Sequence, residues 1–198
     1  MDTADAAPSA VAVVALKPSE QAKSRLGLPP PLRQRLAETM ALDTIRALAG
    51  AVSQVVVVSG QPALATRLAR AGISATVWPE PDEPGMNAAL AYGADRLRAG
   101  GVGTVVACVG DLPALRASSV DRVLRASRAV PRTFLADASG VGTTMLVATD
   151  GPLLPGFTGR SASRHRSGGA VPLTEDRLGG LLPDARRDVD TEADLMAA

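Results

Sequence analysis

The chain has 198 residues, 46% of them hydrophobic, enough for one domain with a single sizeable core and too apolar for disorder over most of its length. Its 21 basic and 20 acidic residues nearly cancel, which leaves no broad field for a nucleic-acid backbone, and Trp78, Tyr92, Phe134 and Phe157 are too few aromatics for base stacking. A single cysteine, Cys108, excludes a disulfide framework or a cysteine-based zinc site within the chain, and no apolar run reaches membrane-spanning length.

Residues 1–9 carry two acids and no basic stretch, so they read as a short disordered tail and not a signal peptide, which points to a cytoplasmic protein. The folded domain is expected over residues 10–198. Ala10–Leu16 is a continuous apolar run, a strand buried on both faces. A polar loop from Lys17 to Gly27 follows. After Pro29–Pro31 a helix runs to about Leu48, with Leu32, Leu36, Met40 and Ile45 on roughly one side, and Gly50 stops it. Val55–Val58 is a second strand, Pro62–Arg70 a short helix and Ile73–Trp78 a third strand.

The proline-rich stretch Pro79–Gly85 is a loop leading into a helix over Met86–Arg98. Thr104–Val109 is the central strand, Ser118–Arg128 a helix and Thr133–Ala136 a further strand. This alternation predicts an α/β fold with a mainly parallel sheet and right-handed crossovers. Gly142–Ala148 departs from the pattern as a strand entered from a glycine turn, expected in an antiparallel insertion. The rest is loop-rich, with a short helix closing the chain from Thr191.

Asp111 stands just past the central strand, behind Gly110, where open α/β sheets border their ligand crevice. A carboxylate there can hold Mg2+ against a polyphosphate, or it can simply cap the turn or helix that follows. Lys17, Lys23 and Arg25 follow the first strand and suit nucleotide phosphates, though an isolated charged loop would look the same. Neither a Walker motif nor a dinucleotide glycine fingerprint is present. Asn87 can cap its helix or read a base edge. Gly140–Thr144 can form an anion nest or a plain hairpin turn.

Ser161–Arg166 gathers hydroxyls and cations where a helix begins, a natural phosphate site. His165, the only histidine, is flanked by arginines and reads as a surface residue. Cys108, inside a strand, reads as a small hydrophobe and not a nucleophile. Asp188 and Asp190 flank Val189 in an extended segment and so share one side, while Thr191 with Asp194 resembles a capping box. With Asp111 the pair would supply the oxygen ligands that Mg2+ prefers.

Taken together, several segments resemble those of the guanylyltransferases that build the GDP-linked intermediate of the deazaflavin coenzyme F-420, above all the actinobacterial phosphoenolpyruvate guanylyltransferase branch, related to the 2-phospho-L-lactate guanylyltransferases. They are Ala15–Lys17 with Ala22–Leu26, Val109–Leu115, Phe134–Asp137 followed by Gly140–Thr143, Ser161–His165, Ser167–Val171, and Arg187–Thr191 with Ala193–Leu195. The resemblance covers about residues 10 to 197. It implies a single-domain, Rossmann-like nucleotidyltransferase fold with helices on both faces of the sheet and a small antiparallel extension. It also implies Mg2+ at Asp111, Asp188 and Asp190, and an acceptor phosphate at Thr143, Thr158 and Ser161.

Thr158 stands where the family usually carries glycine: if the contact is through a backbone N–H, Thr158 still makes it, and if glycine geometry is needed, Gly159 takes that place in a shifted register. Pro18–Glu20 departs from the apolar residues usual in the family's first loop, but Lys17 and Lys23 keep their places. The expected reaction joins GTP and phosphoenolpyruvate, with Lys17, Lys23 and Asp111 catalytic and Lys17, Lys23, Arg25 and Asn87 binding the nucleotide. The same residues fit 2-phospho-L-lactate or 3-phosphoglycerate as acceptor, and a non-catalytic nucleotide-binding protein is the alternative of another class. Guanine as the base and any homodimeric state rest on the resemblance alone.

Overall fold

The computed structural model describes residues 9–16, 26–189 and 191–197. Among them seven strands form one sheet: β1 (Ala10–Ala15), β2 (Gln54–Val58), β3 (Thr76–Trp78), β4 (Thr104–Cys108), β5 (Arg132–Ala136), β6 (Thr143–Thr149) and β7 (Val171–Pro172), in the order β3-β2-β1-β4-β6-β5-β7. The helices are α1 (Pro30–Ala49), α2 (Leu64–Arg70), α3 (Met86–Ala99), α4 (Ala117–Ser127), α5 (Ser161–Ser167), α6 (Glu175–Leu178), α7 (Pro183–Arg186) and α8 (Glu192–Ala197). The expected tail over residues 1–9 lies, except for Ser9, outside the described residues.

Strand alternation divides the core in two. Ala12, Val14, Val55, Val57, Val106 and Met145 pack on one face with Ile45 and Leu48 of α1 and Val120 and Val123 of α4. Val11, Val13, Val56, Val58, Val105 and Ala107 pack on the other with Leu90, Ala94 and Leu97 of α3 and Ala162 of α5. Both faces are covered, so the central strands are apolar throughout instead of alternating. Strand β3 is shorter than expected: only Thr76–Trp78 pair with Val56–Val58, while Ile73 is buried outside the ladder.

Strands β2 and β4 flank β1, and all three are parallel. The chain therefore reverses its direction of travel across the sheet at β1, the topological switch point where α/β sheets open a ligand crevice beyond their carboxyl ends. Strand β6 is the one antiparallel member, and it lies inside the sheet, paired with β4 on one side and β5 on the other. That reversal brings its first residue, Thr143, to the edge where β4 and β5 end.

Candidate active site

Asp111 leaves the tip of β4 at that edge. Continuing the β1/β4 register sets Leu16 opposite Gly110, and a Cβ on Gly110 would lie 2.6 Å from Leu16 Cδ2, so a larger residue at this turn has to displace that leucine side chain. The next residue, Leu112, is fully buried, and its N–H donates to the Thr44 hydroxyl of α1 at 3.0 Å. Helix capping does not account for Asp111: α4 begins six residues later, behind Arg116, whose N–H donates to the Asp184 carboxylate at 3.1 Å. Cys108 is buried, and that burial, with the Asp111 charge behind it, pushes the thiol far above its ordinary range, so it is no nucleophile.

The C-terminal segment reaches the same place. Val189 is fully buried, and its N–H donates to the Asp111 carbonyl at 3.2 Å. Its neighbour Asp188, only partly buried, is thereby carried to the β4 tip across nearly 80 residues of sequence. Two further ties fix the approach. Arg186 donates through Nε and Nη2 to the carbonyls of Ala136 and Asp137, both at 3.0 Å, and the Thr144 hydroxyl donates to the Ala185 carbonyl at 2.7 Å. Carboxylate oxygens alone form a donor set suited to a hard cation such as Mg2+. Among the described residues no three metal-binding side chains cluster; Asp190, the expected third ligand, lies outside them. Thr191 and Asp194 do form the expected capping box, with the Thr191 N–H and hydroxyl donating to Asp194 Oδ2 and the Asp194 N–H to Thr191 Oγ1.

The β5/β6 register shifts between Leu135 and Ala136, which interrupts the alternation of β6 here: the Thr144 hydroxyl reaches Ala185, while Thr143 turns away from the acids' support toward α5. Its Oγ1 lies 3.0 Å from Nδ1 of His165, and Ser161 sits one turn before that histidine on the same buried side of α5. The Ala162 N–H donates to the Val141 carbonyl, which closes the β5–β6 turn against α5. Thr143 and Ser161 thus share one corner. Of the two readings of Gly140–Thr144, the anion nest is already filled from within: the N–H groups of Val141 and Gly142 donate to the Asp137 carboxylate.

Asn87 neither caps α3, whose N-cap is Gly85, nor stands apart; its Oδ1 accepts from the Phe157 N–H at 2.7 Å. Two residues inside the helix, it cannot reach back to cap it. That bond ties the start of α3 to the turn ending in Thr158, which is exposed and gives its own N–H to the Gly156 carbonyl at 2.9 Å. Gly159 takes φ 54°, a left-handed conformation that suits glycine. His165 differs from the surface residue expected: it is 3% exposed, packed between the rings of Phe134 and Phe157, while Arg164 and Arg166 point outward.

Lys17, Lys23 and Arg25, expected at the nucleotide phosphates, lie outside the described residues. The residue that leads to them is well anchored. Leu16 donates its N–H to Val58 and accepts at its carbonyl from the Ser59 hydroxyl at 2.7 Å. Ser59 is thus a positioning residue that the sequence reading missed; its only signal was a serine immediately past the apolar run of β2.

A MobA-like NTP transferase domain matches residues 23–168. A phosphoenolpyruvate guanylyltransferase of Streptomyces avermitilis is 45% identical, covering 94% of this chain and 86% of the relative. One of Geodermatophilus obscurus is 44% identical over the same shares, and one of Mycobacterium sp. strain KMS is 42% identical, covering 98% and 88%. In fold the chain is similar to a Methanothermobacter nucleotidyl transferase (TM-score 0.60, 19% identity, covering 96% of this chain and 95% of that one). It is also similar to the 4-diphosphocytidyl-2C-methyl-D-erythritol synthase of Anaerococcus prevotii (TM-score 0.63, 10% identity, 96% and 94%).

Proposed function

We propose, for a chain that belongs to the phosphoenolpyruvate guanylyltransferase family within the MobA-like NTP transferases, that it transfers GMP from GTP to the phosphate of phosphoenolpyruvate with Mg2+ as cofactor. The products are enolpyruvyl-diphospho-5'-guanosine and pyrophosphate, and the reaction serves coenzyme F-420 biosynthesis in the cytoplasm. The observation that carries this reading is the Val189 N–H bond to the Asp111 carbonyl, which joins the two acid-bearing segments at the switch point of the sheet.

The acceptor phosphate attacks the α-phosphorus of GTP in line, and pyrophosphate leaves. An anionic phosphate is already a nucleophile, so the residues need supply no general base; their work is positioning and charge neutralisation. Asp111, Asp188 and Asp190 would hold the metal, which when bound offsets the negative charge gathered on the phosphates. Lys17, Lys23 and Arg25 grip the triphosphate, Lys17 directly beyond the Leu16 carbonyl that Ser59 holds. Asn87, with its oxygen committed to Phe157, has its NH2 left for the nucleotide. Thr143 and Ser161 hold the acceptor phosphate, with the turn through Thr158 and Gly159 closing over it.

The test is mass spectrometry of products from a mixture of the four nucleoside triphosphates with phosphoenolpyruvate, 2-phospho-L-lactate and 3-phosphoglycerate, with Mg2+ or with a chelator. The expected outcome is one main product, the guanosine adduct of phosphoenolpyruvate, absent under chelation. A main product with another acceptor or base would overturn the substrate assignment, and GTP binding without any adduct would overturn the enzymatic reading.

A further inference from the structure

His165 makes two hydrogen bonds, and one of them fixes its chemistry. The Gly156 backbone N–H can only donate, and it lies 2.8 Å from His165 Nε2. Nε2 must therefore present its lone pair, so the proton of the neutral ring sits on Nδ1. Nδ1 in turn lies 3.0 Å from Thr143 Oγ1, and as a protonated nitrogen it can only donate there. The Thr143 hydroxyl is thus an acceptor toward the ring, and its own proton must go elsewhere. Thr143 is 5% exposed, and among the described residues its hydroxyl has no other hydrogen-bond partner.

We propose that His165 is a positioning residue: locked by the Gly156 N–H as the Nδ1–H tautomer, it obliges the Thr143 hydroxyl to donate its proton to the acceptor's phosphate. The inference deepens the guanylyltransferase reading and rests on it for the identity of the acceptor. A threonine hydroxyl is otherwise ambivalent, able to donate or accept, and beside a phosphate an inward-pointing hydroxyl proton would be wasted. The ring is held by its surroundings. Phe157 stands edge-on at 5.0 Å and Phe134 tilted at 5.9 Å, while the same Phe157 is tethered by Asn87. Burial, and then the positive charge of Arg132, lower the His165 pKa to about 4, so the ring is neutral at working pH. One side chain thereby ties the Gly156 turn, β6 and α5 together at the corner where Ser161 also sits.

The only histidine of the chain gives an unambiguous spectroscopic probe. Two-bond nitrogen–proton correlation spectra of uniformly labelled, tag-free protein near pH 7 should show a protonated Nδ1 and an unprotonated Nε2. The common Nε2–H tautomer would overturn the proposal. In kinetics, Thr143→Val and His165→Phe should each raise the phosphoenolpyruvate KM roughly ten- to a hundredfold with the GTP KM little changed. His165→Asn, whose amide can donate from the Nδ1 position, should recover most of that loss. In the Thr143→Val background, His165→Phe should add little further. Multiplying losses, or equal losses for both substrates, would reduce His165 to a structural role and overturn the proposal. Absence of wild-type turnover on phosphoenolpyruvate would instead overturn the functional reading, and with it the substrate half of this inference, while the tautomer spectrum is read independently.

Discussion

Protonating His165 would turn Nε2 from an acceptor into a donor aimed at the Gly156 N–H, so acid should loosen the fold through this one residue. Its folded pKa of about 4 lies below the ordinary 6.5, so the unfolded chain binds the proton more readily. The stability contribution is complete above about pH 6.5 and is lost as pH falls toward 4. Urea denaturation at pH 7 and pH 5 should differ by on the order of 2 kcal/mol in the wild type, with most of that difference gone in His165→Asn. An unchanged pH slope in the variant would contradict the assignment. The residue itself was hidden in the sequence because its neighbours are arginines. Successive helical residues point about 100° apart, so Arg164 and Arg166 say nothing about the face between them, which Ser161 and Ala162 mark as buried. Asp111 was legible for the opposite reason, standing alone at the end of an apolar run.

At the scale of elements, α3 lies so close to the sheet that Gly93 is required. A Cβ there would sit 2.8 Å from Val13 Cγ1 and 3.2 Å from Val58 Cγ2, both on β-branched residues in central strands with little freedom to yield. Gly93→Ala should therefore destabilise by about 1–2 kcal/mol in chemical denaturation, the clash outweighing the helix-propensity gain of alanine. A stabilised variant would show that α3 can move off the sheet. At the other end of the chain, Thr191→Ala should cost about 1 kcal/mol in chemical denaturation through loss of the α8 capping box. The parallel strands and the box were legible because apolar runs and capping pairs are local signals. The place of β6 between β4 and β5 was not, because periodicity reports burial and never the neighbour. Helices α6 and α7, of four residues each, are too short to show any period.

Across the whole molecule, the candidate site is assembled from segments with no proximity in sequence: the end of β1, the end of β4, the start of β6, the first turn of α5 and the approach to α8. Sequence could name the acids, because two carboxylates flanking a valine are conspicuous, but only the fold brings Val189 against Asp111. If Asp111 and Asp188 serve one shared ion, they act as a unit and their losses cannot multiply. The decisive measurement is a double-mutant cycle on the kcat/KM for pyrophosphate release from GTP and phosphoenolpyruvate, using Asp111→Asn, Asp188→Asn and the pair, with folding checked by circular dichroism. Each single variant should lose roughly a hundredfold or more, and the double should be little worse than the poorer single. Near wild-type turnover in either single variant, or losses that multiply in full, would contradict a shared metal site.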